Sequence, residues 1–346
     1  MTKRKKLSKG QLRRIKANRS KKLQAREDAP LVDDASLGPE QDAVVISRFG
    51  QHAEVETQDG HRVKAQIRRT VDSLVSGDQV LFRASKTDDG GVIEAVHPRR
   101  SMLTRPDYYD GVKVVAANID HIFVVSSPLP AFSSQIIDRY LIAAEDTGIE
   151  VSIVLNKTDL MTDELRDELD QALEIYRQLG YRVILASAKS AEGVAELGEC
   201  MADQVNILVG QSGVGKSSLV NALLPQAELL EGAVSDNSGL GQHTTTAAKL
   251  LKLDKGGALI DSPGVREFGL WHMDPERVTW CYREFRDLIG TCKFRDCKHN
   301  DDPGCAITEA LANGDIDEMR YFNYLRIIES MAEQKDSRHI KQKPLD

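Results

Sequence analysis

Hydrophobic residues follow three different rhythms along this chain. Between residues 41 and 97 they alternate with polar ones in short runs: "DAVVISRFG", "HAEVETQDG", "HRVKAQIRR", "GDQVLFRAS" and "GGVIEAVHP". The runs recur at roughly ten-residue spacing, with Gly or Asp-Gly at several junctions, which predicts a small five-stranded antiparallel barrel. From about 112 to 270 the alternation gives way to continuous apolar runs, "HIFVVSS", "VSIVLNK", "RVILASA", "QVNILVG" and "GALIDSPG". Such runs mark strands buried on both faces. Helical stretches such as "DELRDELDQALEIYRQLG" lie between them. This is the α/β parallel-sheet class, in which ligands bind beyond the carboxyl ends of the strands. A third rhythm, helical, runs through "ITEALANGDIDEMRYFNYLRIIESMAEQK". The expected organisation is an arm and linker at 1–40, a barrel at 41–100, a parallel-sheet domain at 101–272 and a helical module at 273–346.

Charge changes the picture at the N-terminus. Residues 1–26 hold twelve Lys or Arg and no acid, so the other 320 residues carry 34 basic against 53 acidic side chains. A block of like charge with few apolar residues is expected to be disordered when free. It reads either as a solubilising tail or as a nucleic-acid arm held by counterion release. The acidic body argues against coating DNA and fits an arm laid on structured RNA. The acidic segment "EDAPLVDDASLGPE" at 27–40 is a linker. The barrel resembles the OB-fold, which often binds RNA. Its aromatics are few, Phe49 and Phe82, so a base-stacking platform is not evident, and a barrel that merely braces the next domain is the plainer alternative. No apolar run approaches the roughly 20 residues of a membrane span. The basic start has no apolar stretch behind it, as a secretory signal would. Five cysteines do not read as a disulfide framework. A cytoplasmic protein without membrane contact is expected.

The chemistry begins at "GQSGVGKSS", residues 210–218. Gly210, Gly215, Lys216 and Ser217 fit the phosphate-loop pattern, after the strand "VNILV" and before the helix "SSLVNALL". Backbone N–H groups of Gln211, Ser212, Gly213 and Val214 would curl around the β-phosphate, with the helix start, including Ser218, adding partial positive charge. Lys216 suits β/γ-phosphate oxygens, and the Ser217 hydroxyl suits Mg²⁺. Asp261 and Gly264 end a further buried strand, placing a carboxylate near the Mg²⁺ and an N–H near the γ-phosphate. Between the phosphate loop and Asp261 lies "SGLGQHTTT", a mobile loop or a plain surface loop, in which Thr244, Thr245 or Thr246 would complete the Mg²⁺ shell; Thr245 is the chosen candidate.

A guanine-reading element is present, but earlier in the chain. In Asn156-Lys157-Thr158-Asp159, the Asp159 carboxylate would accept from guanine N1–H and the 2-amino group, which adenine does not offer. Asn156 would tie this loop to the phosphate loop, and the Lys157 stem would lie along the base. Ser187, Ala188 and Lys189 end the next strand, with the Ala188 N–H directed to guanine O6. Each tetrapeptide or tripeptide is weak alone; together, after consecutive buried strands, they predict a standard GTP/GDP site reached in a permuted order.

The last cluster is "CKFRDCKHNDDPGCAI", where Cys292, Cys297, His299 and Cys305 offer three thiolates and one imidazole. That set suits one tetrahedral, structural Zn²⁺, closed to catalysis; reduced cysteines without metal are the alternative. Cys200 and Cys281 read as packed thiols.

With the barrel in front, this order of elements resembles the bacterial RsgA (YjeQ) family of circularly permuted GTPases. The resemblance rests on "GQSGVGKSS", "GQHTTT", "DSPGVREF" and the cysteine cluster, and covers nearly the whole chain. It implies an OB-like barrel, a permuted P-loop GTPase domain and a zinc module holding the same four ligands. It also implies action on the small ribosomal subunit late in maturation, with GTP hydrolysis stimulated by that subunit; the protein is expected to be a monomer that contacts the subunit's rRNA and whose hydrolysis times release. Lys216 is the expected charge-neutralising catalytic residue. Val265 follows Gly264 where many GTPases place a water-orienting Gln, so His243 is the candidate substitute, with an RNA or surface contact as its alternative role. Because the second switch runs straight into residues 275–346, nucleotide state is expected to alter RNA affinity. A pure binding switch and a nucleic-acid-processing ATPase are the rival functions; Asp159 disfavours the second.

Overall fold

The structure, a computed structural model, describes residues 34–107, 111–224, 248–261, 270, 273–300 and 302–342. Strands β1 (Leu37–Phe49), β2 (His52–Thr57), β3 (Arg62–Ile67), β4 (Gln79–Ser85) and β5 (Gly90–Val96) form the N-terminal barrel. They run in the order β1-β2-β3-β5-β4, and β4 returns to pair with β1, closing the ring. β1 is long enough to pair with both neighbours, with a register shift between Val45 and Ser47. The inward positions Val45, Ala53, Val55, Ala65, Val80, Phe82 and Ile93 fill the interior. At Gly91 a Cβ would come within 2.2 Å of the Phe82 ring, so only glycine lets that ring occupy the barrel centre.

The barrel is not wholly antiparallel as the alternation predicted. β3 and β5 are parallel, whereas the other four junctions are antiparallel. The reason is arithmetic: strand directions cannot alternate around a closed ring of five, so one junction must be parallel. A hairpin of β6 (Met102–Asp107) and β7 (Gly111–Ala117) follows the barrel.

The second sheet contains β8 (His121–Ser126), β9 (Glu150–Leu155), β10 (Arg182–Leu185), β11 (Val205–Val209), β12 (Lys249–Lys252) and β13 (Ala258–Asp261), in the order β10-β9-β8-β11-β13-β12. All neighbours are parallel except β12 and β13. The intervening helices are α1 (Ser134–Thr147), α2 (Asp163–Gln178), α3 (Val194–Cys200) and α4 (Lys216–Leu223). One apolar cluster packs α1 and α2 on the sheet through Ile137, Leu141, Leu169 and Leu173; a second includes Leu197 and Met201 with Leu219 and Val220 of α4. α2 begins where Thr162 accepts from the Leu165 N–H at 3.3 Å, and Asp163 and Glu164 suit the positive end of the helix.

The two sheets are continuous. β12 pairs with β1 at Lys249 and Ser47, the Ser76 hydroxyl donates to the Ala248 carbonyl at 2.7 Å, and Lys252 pairs with the largely buried Glu56. In the C-terminal module, α5 (Pro275–Cys281), a 3₁₀ segment (Arg283–Leu288), α6 (Ala306–Asn313) and α7 (Glu318–Gln342) enclose their own apolar cluster of Val278, Tyr282, Phe285, Ile307 and Tyr324. Ile142 of α1 belongs to this cluster, so α1 is shared between the sheet and the C-terminal module.

Candidate nucleotide site and metal centre

A parallel sheet delivers the ends of its strands to one edge, and here that edge gathers the sequence motifs. β11 leads into the phosphate loop, β9 into the Asn156 loop and β10 into the Ser187 loop. The glycines of the phosphate loop are required by backbone shape. Gly210, Gly213 and Gly215 have φ of 141°, 85° and 92°. A Cβ on Gly210 would strike the Val125 carbonyl at 2.2 Å, and one on Gly215 the Asn156 amide at 2.3 Å. Val214 is buried in the sheet's apolar cluster, so its side chain anchors the loop. Lys216 opens α4, and its ammonium donates to the Gly210 and Gln211 carbonyls at 2.7 and 2.6 Å, across the mouth of the loop. Gln211 is half-buried, while Ser212, Ser217 and Ser218 are exposed.

Asn156 joins three loops. It is 1% exposed; its Nδ2 donates to the Val214 carbonyl at 2.9 Å, and its Oδ1 accepts from the Ala188 N–H at 3.3 Å. Lys157 adopts a left-handed conformation, φ 66°, and its Nζ donates to the Leu129 and Gly213 carbonyls at 2.7 and 2.6 Å. Asp159 is met by the Ser187 hydroxyl at 2.7 Å and by Lys189 at 3.7 Å. Chiefly the Ser187 hydrogen bond, with the Lys189 charge, holds this carboxyl below its ordinary value. It is therefore an acceptor at neutral pH, as two guanine N–H donors require. Thr158 turns inward and donates to Glu192 at 2.7 Å, bracing the two guanine-side loops. Asp261 stands exposed at the end of β13, two strands from the barrel.

His243, Thr244, Thr245, Thr246, Gly264 and Val265 lie outside the described residues. Sequence reasoning missed the 127–133 loop, which borders the phosphate loop through Leu129 and Pro130. Leu129 acts there through a backbone carbonyl, which leaves no mark on residue type. It also passed over Glu192, which resembles any surface acid in the sequence.

The second candidate centre lies in the C-terminal module. The ligand atoms of Cys292, Cys297, His299 and Cys305 all fall within 4.8 Å of one another. His299 Nδ1 lies 3.6, 3.5 and 3.5 Å from the three sulfurs. A tetrahedral ion with zinc's bond lengths, about 2.3 Å to S and 2.0–2.1 Å to N, requires S···N edges of about 3.6 Å. The residues fit zinc. Burial lowers the His299 imidazole, keeping it neutral as a ligand must be. Burial also pushes the Cys297 thiol up to about 12, so forming its thiolate requires a nearby cation. At Cys305 burial acts the same way, but hydrogen bonds from Thr308 in the first turn of α6 bring that thiol below its ordinary value. Around the cluster, Asp302 accepts from the Lys298 N–H at 2.9 Å, and the Tyr321 hydroxyl donates to the His299 carbonyl at 2.9 Å. Of the other thiols, Cys281 is buried and Cys200 half-buried.

Sheet order and loop set together define a P-loop GTPase whose connectivity is circularly permuted, the guanine-side strands preceding the phosphate-loop strand. The sequence profile of the RsgA GTPase family matches residues 96–271. The chain is 58% identical over 349 residues to the small ribosomal subunit biogenesis GTPase RsgA of Shewanella oneidensis, with 99% of each chain covered. It is 55% identical over 342 residues to RsgA 1 of Vibrio vulnificus, covering 98% of this chain and 97% of that protein. YjeQ from Thermotoga maritima superposes with a TM-score of 0.69 at 33% identity, over 85% of this chain and 99% of that one. YloQ, a circularly permuted GTPase, gives 0.68 at 27% identity over 86% and 96%. The chain belongs to the RsgA GTPase family.

Proposed function

We infer that this protein hydrolyses GTP to GDP and phosphate while bound to the small ribosomal subunit, late in that subunit's maturation. The observation that carries the reading is Asn156, whose one side chain holds the guanine loop to the phosphate loop and to the Ser187 loop. Asp159, Ser187, Ala188 and Lys189 read the guanine, while Asn156 and Lys157 shape its pocket. Gly210 to Ser218 receive the phosphates. Lys216 neutralises the developing charge, and Ser217 and Asp261 would hold Mg²⁺, which stabilises the transferred phosphoryl group. Thr245 and Gly264 complete the metal and γ-phosphate contacts, and His243 positions the attacking water. Cys292, Cys297, His299 and Cys305 hold one structural Zn²⁺.

The relatives named for small ribosomal subunit biogenesis supply the partner, and the basic arm and OB-like barrel supply surfaces for its rRNA. The protein works as a cytoplasmic monomer. Among the described residues no helix is long and apolar enough to cross a membrane. Hydrolysis is slow alone, is accelerated by the subunit, and times release through the Gly264 segment that runs into residues 275–346.

The test is GTP turnover by the purified protein, alone and with purified small subunits, against large subunits and ATP. Strong stimulation by small subunits alone is expected; GTP binding without stimulation would leave the pocket and remove the partner. Equal subunit affinity in GTP-analogue and GDP states would discard the timing role. Full stimulated turnover in His243→Ala would discard the water-positioning role.

A further inference from the structure

The first turn of α1 stands between the nucleotide loops and the C-terminal helix. Ahead of it, the Leu129 carbonyl shares the Lys157 ammonium with the Gly213 carbonyl, at 2.7 and 2.6 Å. Pro130 lies close enough that a Cβ on Gly213 would meet its ring at 3.6 Å. The 127–133 loop is thus a wall of the pocket. Behind α1, Asn323 Nδ2 donates to the Ser134 hydroxyl at 3.0 Å and to Asp138 Oδ2 at 2.7 Å. Arg320 donates to Asp138 Oδ1 and forks onto Glu284 at 2.7 and 3.1 Å. The Tyr176 hydroxyl donates to Asp138 at 2.8 Å.

The Arg320 and Asp138 side chains are 2% and 0% exposed. A buried ion pair of this kind is not needed for stability alone, since well-packed apolar residues do as well. What its directional bonds add is one fixed placement of α7 on α1. The far end of α1 is gripped as well, Glu145 by Arg283 at 2.7 Å and Arg286 at 2.6 Å, and Asp146 by Arg277 at 2.6 Å. The C-terminal module therefore sets where α1 stands, and α1 sets where the Leu129–Pro130 wall stands.

We propose that Asn323 and Arg320 are positioning residues for the nucleotide site, acting through Ser134 and Asp138 to hold the Leu129–Pro130 wall against the phosphate and guanine loops. This rests on the reading of the pocket as a guanine-nucleotide site, and it requires nothing of the segment that follows Asp261. Coupling of this kind is reciprocal. A partner that displaces α7 loosens the nucleotide, and a bound nucleotide stiffens the seat of α7.

The experiment follows release of a fluorescent GDP analogue from the full-length, zinc-loaded protein and from Asn323→Ala, Ser134→Ala and Phe322→Ala. Ser134→Ala removes the same hydrogen bond from the other side with minimal risk to folding. Phe322 is 51% exposed on the same helix and serves as the control. Far-UV circular dichroism and zinc content check folding. Ser134→Ala is expected to release GDP about five- to tenfold faster, the scale of a lost hydrogen bond, and Asn323→Ala at least as fast, since it also gives up the Asp138 bond. KM for GTP should rise in step, kcat should stay within about twofold, and Phe322→Ala should match the parent protein. The double variant should be no faster than Asn323→Ala, because the Ser134 bond is already among those that Asn323→Ala removes. Unchanged release from folded Ser134→Ala, or equal acceleration by Phe322→Ala, overturns the proposal. If the parent protein fails to retain GDP at all, the pocket reading falls instead.

Discussion

The phosphate loop and the cysteine loop each gather groups that fit an ion, yet they are held by opposite means. The phosphate loop takes its form from the sheet beneath it: Val214 is anchored in the apolar cluster, and Gly210 and Gly215 pack against neighbouring chain too closely for a side chain. Its curl is fixed by those packing contacts. The cysteine loop spans residues 292–305, with no helix or strand among its described residues. Three sulfurs crowd one imidazole there, an arrangement that a cation would hold together. On the proposed function, the difference separates a site that exchanges its guest from one that keeps it.

That contrast breaks most visibly if the metal is removed. Chelation, or Cys297→Ser, should cost the C-terminal module most of its stability, since structural zinc contributes on the order of 10 kcal/mol in small modules. Hydrogen exchange should show lost protection in residues 306–331, with β11 and α4 still protected; simultaneous loss in both would mean the two regions fold as one. Next in size, Lys216→Ala should lower GTP turnover by at least about 10²-fold without changing the melting temperature. A marked melting shift would show that Lys216, bonded to Gly210 and Gln211, holds the loop as well as serving it. Asn156→Ala should weaken GDP binding by about 1–3 kcal/mol, the cost of leaving buried partners unsatisfied, as read by titration calorimetry.

The smallest expected effect concerns the seat of the C-terminal module. Burial works against the Glu145 charge, but hydrogen bonds and charges from Arg286 and Arg283 prevail and hold this carboxyl below its ordinary 4.5. A depressed acid stabilises the fold above its unfolded value, and that contribution is lost as pH falls through the folded value. Glu145→Gln should therefore cost no more than about 1 kcal/mol at neutral pH. The difference should shrink as pH drops below about 4.5; a constant difference in denaturant melts would assign the effect to packing.

Much of this molecule is legible in its sequence because the signals are periodic or chemical. Alternation located all five barrel strands, continuous apolar runs located β8 to β11 and β13, and fixed spacings picked out the phosphate loop and the cysteines. The hairpin of β6 and β7 was passed over, although Asp110-Gly111 between two alternating runs is a hairpin signal. The parallel junction of β3 and β5 follows from ring closure, which strand spacing does not encode. Arg320 and Asp138 are harder still. In the sequence they are ordinary charged residues on amphipathic helices, and only the docking of α7 on α1 buries both. Leu129 leaves no sequence signal at all, since its carbonyl makes the contact.

The junction of β1 with β12 has a consequence for anyone dissecting the protein. β12 would be an open edge of the parallel sheet if the barrel were cut away, and open edges recruit strands from other molecules. The strand is short, "KLLK", with a lysine at each end. Those charges are a deterrent to intermolecular pairing, and Lys252 would lose its counter-ion Glu56 in such a fragment. A barrel-deleted protein should stay soluble at low ionic strength and self-associate as salt screens the two lysines, so its concentration-dependent behaviour would reflect an exposed seam rather than a native assembly.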